Sequence, residues 1–357
     1  MISVMSQHGK CQQTQQKTRG YRASGRYRPQ PLHPRRVAIV GLVLILIAVS
    51  MLAQWIARQQ ALTRGLPSGF PDPVQDTPGS EPFGASRACV NTALERYDVP
   101  ALREALDQSV ALGVDWVRQP ILWSEIQPEP DVWVWEPWDL MISEAQERGL
   151  RILAVLDIAP SWAGDPPDPE AYAAFAAAVA ERYGDAITYY QIWHNPNLGD
   201  HWGGRADPHG YSELLSSASL AIQAVDEDAR IVMGSLAPTI ERGDRNYAEA
   251  LFLTMLYEAG ARDSFDVVSI QPYGFDTGPD DRRVGQDILN FSRAHMVRDV
   301  LIEHRDAEKA IWASNFGWNR KPADWPGPSS IWGRVDEEMQ ARYTIDALAR
   351  VDREWPW

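Results

Sequence analysis

From Phe83 onward, short apolar runs alternate with segments whose apolar positions recur every three or four residues, the pattern of βα units on a parallel sheet. The runs predict strands over Phe83 to Cys89, Trp116 to Ile121, Arg151 to Leu156, Thr188 to Trp193, Ile231 to Gly234, Phe265 to Ile270 and Ala310 to Ala313. The helical spacing predicts helices over Pro100 to Leu112, Trp138 to Arg148, Pro169 to Tyr183, Tyr211 to Val225, Tyr247 to Ala259, Val284 to His304 and Asp336 to Val351. Gly113, Gly149, Gly184 and Gly260 follow four of these helices, where a left-handed cap is wanted.

A chain of 357 residues could hold two average domains, but the alternation fits one large α/β barrel better, since barrels run to roughly 250 residues as a single unit. A (β/α)8 barrel needs eight strands, and the pattern supplies seven. The eighth is expected to be missing after the last helix, with open edges on the first and seventh strands. Either the sequence is truncated or a partner closes the barrel.

Ahead of the barrel the pattern changes twice. Residues 1–36 carry eight Lys or Arg and no acid, and residues 37–56 carry no charge at all. Twenty apolar residues at about 1.5 Å rise span roughly 30 Å, so 37–56 is expected to be a transmembrane signal anchor. Basic flanks stay inside, which makes 1–36 a cytoplasmic tail and places the barrel outside a cell membrane crossed once. Residues 57–82, rich in Pro, Gly and Ser, read as a stalk, and 83–357 as the barrel. Nine of the 34 basic residues lie at or before Arg58, leaving 25 against 48 acids, a formal charge of −23 that excludes nucleic acid as a natural partner. Cys11 and Cys89 lie on opposite sides of the expected span, so no disulfide framework or Cys-based metal site follows.

Two segments at strand ends carry the chemistry. The sequence Ile192-Trp193-His194-Asn195-Pro196-Asn197-Leu198 resembles the Trp-Asn-Glu-Pro-Asn-Leu segment of clan A glycoside hydrolases, and Trp312-Ala313-Ser314-Asn315-Phe316-Gly317-Trp318 resembles their Thr-Glu-Phe-Gly-Trp segment. Further similar stretches are Leu122 to Glu129, Ala159 to Ala163 and Gln271 to Gly274. The resemblance implies a TIM barrel with its site at the C-terminal ends of the strands. It places Asn195 where the family has its general acid/base Glu and Asn315 where it has the nucleophile Glu. Retaining hydrolysis needs two carboxyl groups about 5 to 5.5 Å apart. An amide keeps the shape of the acid but neither gives up a proton at useful pH nor attacks.

His194 replaces the family's sugar-contacting Asn and Gln271 its usual His, while Arg118 matches its active-site Arg. Aromatic faces stack on sugar rings, so Trp123, Trp162, Trp202, Trp318 and Tyr273 join Arg118, His194 and Gln271 as expected substrate contacts, whereas Trp116 and Trp312 read as core. The expectation is a degenerate, membrane-anchored glycosidase that binds extracellular or envelope carbohydrate. The alternative is an active hydrolase or transglycosidase with relocated acids, drawn from Glu125, Glu129, Asp157, Asp200 and Asp276, with His194 moving a proton near neutral pH. His194, Asp200 and His201 show no recognised ligand spacing, so neither metal nor cofactor is expected.

Overall fold

The computed structural model describes a helix at Pro34–Thr63 and residues 88–357 apart from residue 323. The chain divides into two units, Met1–Ile56 and Ala57–Trp357. In the first, the membrane anchor expected over 37–56 is not upheld: among the described residues no helix is long and apolar enough to cross a membrane. The transmembrane helix, the membrane as partner and the single-pass topology are withdrawn with it. The stalk and the start of the first predicted strand, up to Arg87, lie largely outside the described residues.

The second unit is built on a parallel sheet of seven strands: β1 Cys89–Asn91, β2 Trp116–Leu122, β3 Arg151–Asp157, β4 Tyr189–His194, β5 Arg230–Ser235, β6 Val267–Ile270 and β7 Ala310–Ala313. Each strand pairs with the next in sequence. A helix follows each strand: α1 Val99–Ala111, α2 Glu136–Glu147, α3 Pro169–Tyr183, α4 Pro208–Val225, α5 Glu249–Glu258, α6 Ala294–Glu303 and α7 Glu337–Glu354. The sheet curls until β2 and β7 meet across its interior, with the rings of Trp116 and Trp312 6.3 Å apart. The result resembles an incomplete (β/α)8 barrel.

Local sequence explains the elements. β3 is buried at five consecutive positions, as a strand covered on both faces must be. Asp98, Asp168, Asp207 and Asp336 cap α1, α3, α4 and α7 by accepting from backbone N–H groups at 2.7–3.0 Å, each cap being worth about 1 kcal/mol. Gly113, Gly149 and Gly260 take the left-handed conformation expected of them, but Gly184 remains right-handed as the cap of α3.

The open edges are handled by brevity. β1 has three residues and β7 four, so few unpaired backbone groups are offered to a passing strand. At their C-terminal ends the two strands are linked directly, since Asn91 Nδ2 donates to the Ser314 carbonyl at 2.8 Å. Among the described residues no eighth strand joins this sheet, and the mouth of the barrel is bridged without one.

Candidate functional site

The C-terminal ends of the strands are marked by unusual backbone. Ile158, Trp193, Asn195 and Phe275, all at or just beyond β3, β4 and β6, have positive φ of 53–69°. Non-glycine residues avoid this region, at a cost of order 1–3 kcal/mol, and those that occupy it cluster at working sites. At β4 the strain is held by neighbours: Asn195 N–H donates to Ser235 O at 3.1 Å, Leu198 N–H to Asn195 O at 3.0 Å, and Trp193 Nε1 to His201 O at 2.8 Å. Asn197, fully buried, clamps the loop by accepting from Ala237 N–H at 2.9 Å and donating to the carbonyls of Ala237 and Tyr247 at 2.8 and 2.9 Å.

A cavity of about 1010 Å³ opens here. It brings together five of the residues singled out from sequence, His194, Asn195, Gln271, Tyr273 and Trp318. Gln271 Nε2 donates to Asn195 Oδ1 at 2.6 Å, which fixes the amide and turns its Nδ2 toward His201 Nε2, 3.4 Å away. Tyr273 is held protonated, its hydroxyl raised by burial. Trp318 forms a wall and anchors its indole N–H on Thr277 O at 2.6 Å. Gly274 is required beneath it, because a Cβ at that position would run into the indole.

Arg118 stands behind this wall rather than in it. Only 6% exposed, it donates from Nε to Gln191 Oε1 and from Nη1 to Asn91 Oδ1, both at 2.9 Å, and from Nη2 to His194 Nδ1 at 3.2 Å. All three partners are uncharged, and burial lowers its pKa to about 10. A guanidinium can only donate, so His194 Nδ1 accepts and the ring carries its hydrogen on Nε2. Burial, reinforced by Arg118 and then His201, lowers the His194 pKa to about 3. The expected proton transfer by His194 near neutral pH is therefore corrected: the ring is neutral there. His201 is also lowered, by burial.

Asn315 lies just past β7, between Ser314, whose hydroxyl bonds to that of Ser235, and Phe316 on the cavity wall. Its Oδ1 is buried and accepts no hydrogen bond. Trp123 and Trp202 are interior residues, at 0% and 2% exposure. Trp123 stacks on Phe175 at 5.1 Å, while Trp202 packs edge-on against Trp193 and Tyr211 at 5.8 and 5.6 Å, leaving neither a face for a sugar. Trp162 is half-buried and donates to Gln127 O at 3.2 Å. A platform the sequence reading passed over is Trp332, 40% exposed on the cavity wall with its ring 5.4 Å from that of Tyr273.

Of the candidate acids, Glu125, Glu129, Asp200 and Asp276 are exposed, and Asp200 pairs with Arg245. Asp157, at the end of β3 and half-buried, is the exception: burial raises its pKa to about 7 against a hydrogen bond from Ile158 N–H and the charge of Arg118. No cluster of three or more metal-ligating side chains occurs among the described residues.

No protein-family model matches the sequence, and no curated protein does. Solved structures do. A family 39 glycoside hydrolase from Bacteroides cellulosilyticus aligns over 75% of this chain and 54% of its own, at 18% identity and a TM-score of 0.57. The family 39 enzyme from Xanthomonas axonopodis aligns over 74% and 56%, at 21% identity and 0.54. A glucosidase from Croceicoccus marinus aligns over 69% and 52%, at 17% identity and 0.52. The chain thus spans about half the length of these three structures. At such identities the likeness establishes fold alone: the second unit is folded like the barrels of these enzymes.

Proposed function

We propose that this chain is a glycosidase-like domain that binds carbohydrate and does not carry out ordinary retaining hydrolysis. The observation that carries the reading is the state of residue 195. At the position matching the family's acid/base Glu stands an amide whose oxygen is already engaged by Gln271 at 2.6 Å. Residue 315, matching the nucleophile, is an amide as well. Loss of a general acid or base alone typically slows catalysis about a hundredfold to ten-thousandfold, and loss of the nucleophile removes the double-displacement route.

Carbohydrate binding draws support from the cavity, which joins Trp332 and Tyr273 as aromatic surface to the amides of Asn195 and Gln271. Flat aromatic faces and a few convergent polar groups are what a sugar ring needs. Titration calorimetry against a panel of mono- and oligosaccharides is expected to give binding with no product formed. Binding to none of them would remove the reading. The paired substitution Asn195→Glu with Asn315→Glu, assayed on aryl glycosides, is expected to gain hydrolysis over the inert parent.

One observation favours a second reading, hydrolysis with a relocated acid. Asp157, with its pKa near 7, could hold a proton for a leaving group. Turnover in the unaltered protein that vanishes in Asp157→Asn would establish it.

A further inference from the structure

The inner end of the cavity presents hydrogen-bond donors with no carboxylate opposite them. His194 Nδ1 is occupied by Arg118, so the ring offers Nε2–H. Asn195 Oδ1 is occupied by Gln271 and one side of its Nδ2 faces His201 Nε2 at 3.4 Å, so this amide offers its second Nδ2–H. Behind His194 lies the Arg118 charge, with uncharged hydrogen-bond partners. Beside it Gln191, fully buried, has its Oε1 on Arg118 and an Nε2 that donates to nothing.

Two carboxylates bear on this count. Asp157 is the acid whose charge reaches Arg118, yet no hydrogen bond or ion pair joins the two. Glu337 lines the outer part of the cavity, exposed and paired with Arg320 at 3.2 Å. Asn315 Oδ1, just behind Phe316, is a buried acceptor without a hydrogen-bond partner, and Tyr273, Asn319 and Gln340 add side-chain oxygens on the cavity wall.

A neutral sugar brings hydroxyls that must donate as well as accept, whereas His194 Nε2–H and Asn195 Nδ2–H can only donate. A carboxylate or sulfate oxygen only accepts, and hydrogen bonds to an ionised group are roughly twice as strong as neutral ones. We propose that the cavity is selective for an acidic glycan, with the anionic substituent on His194 Nε2–H and Asn195 Nδ2–H, Arg118 polarising the imidazole from behind. Arg118 is a positioning residue: its charge reaches the ligand through His194. This inference rests on the carbohydrate-binding reading and adds the ligand's charge.

The test compares D-glucuronate, glucose 6-sulfate, D-glucose and sodium sulfate by titration calorimetry on the full chain. The acidic sugars are expected to bind about tenfold or more tightly than glucose at low salt, the yield of one charge-assisted contact. That preference should shrink as sodium chloride rises. Arg118→Met, checked for folding by circular dichroism, should reduce the preference rather than abolish sugar binding; the salt series on the unaltered protein stands if that variant does not fold. Glucose binding as tightly as the acidic sugars would overturn the inference and leave carbohydrate binding standing. Binding of none of the sugars would overturn both, as would sulfate alone binding as tightly as the sugars.

Discussion

The two ends of the barrel interior are made by the same strands and have opposite chemistry. At the N-terminal end Trp116, Tyr189, Val267 and Trp312 pack with Leu153 and Val232 into an apolar floor, where the rings of Trp116 and Tyr189 lie 5.4 Å apart and those of Tyr189 and Trp312 5.1 Å apart. Two residues further along four of those strands stand Arg118, Gln191, Ser269 and Ser314. Positions i and i+2 of a strand share a face, so one step of that period takes the interior from hydrocarbon to hydrogen bonds. The floor supplies cohesion that does not depend on a ligand. The mouth holds polar atoms in place at a cost in backbone strain and buried charge, which a purely structural region has no reason to bear.

The largest way to test that contrast is Trp116→Ala, which empties the centre of the floor. It should destabilise by about 3–5 kcal/mol in denaturant titration, whereas Ser269→Ala in the mouth should fall well below that. A mouth substitution as costly as the floor one would end the distinction.

Next comes pH. Asp157 has a folded pKa near 7 against a usual 3.8. Between those values the folded chain holds a proton that the unfolded chain releases. Its contribution to stability is therefore lost as pH rises from about 4 through 7 and is constant above that, on the order of a few kcal/mol at most. His194, lowered to about 3, acts in the other sense and is destabilising as pH falls below about 6.5. Subtracting the Asp157→Asn melting profile from that of the parent isolates the first effect. A flat difference would show the carboxyl to be solvated.

Gly274→Ala, which drives a methyl into the Trp318 indole, should destabilise by about 1–3 kcal/mol and shift tryptophan fluorescence. An unchanged spectrum would mean that this wall is loose. The smallest effect should come from the contact between Gln271 and Asn195. A double-mutant cycle with Ala at each is expected to give a coupling of about 0.5–1.5 kcal/mol, and zero coupling would free the Asn195 amide to turn over.

The strands were readable because each is an apolar run bounded by turn residues; β7 was placed to the residue at Ala310–Ala313. The predicted helix from Val284 to His304 shrank to Ala294–Glu303. In the part lost, Arg293 donates to the carbonyls of Gly285, Gln286 and Ile288, and Asn290 to that of Arg283, so side chains there outcompete the helix for its own backbone. At the site, the residues on strand ends were recoverable from the two motif segments. The fate of the tryptophans was not. Whether Trp123 or Trp202 turns inward depends on α3 and α4 packing over it, and no local pattern records that. Trp332 lies in the long connection between β7 and α7, where periodicity carries no information. The apolar segment at 37–56 was read from composition alone, and among the described residues no helix is long and apolar enough to cross a membrane.

The link between Asn91 and Ser314 joins the two edge strands of the seven-stranded sheet through a side chain rather than through backbone pairing. The residue it grips also carries one of three hydroxyls gathered at the rim, with Ser235 bonded to Ser314 and 3.3 Å from Ser269. Enlarging Ser314 would therefore crowd those serines and pull on the carbonyl that one asparagine holds.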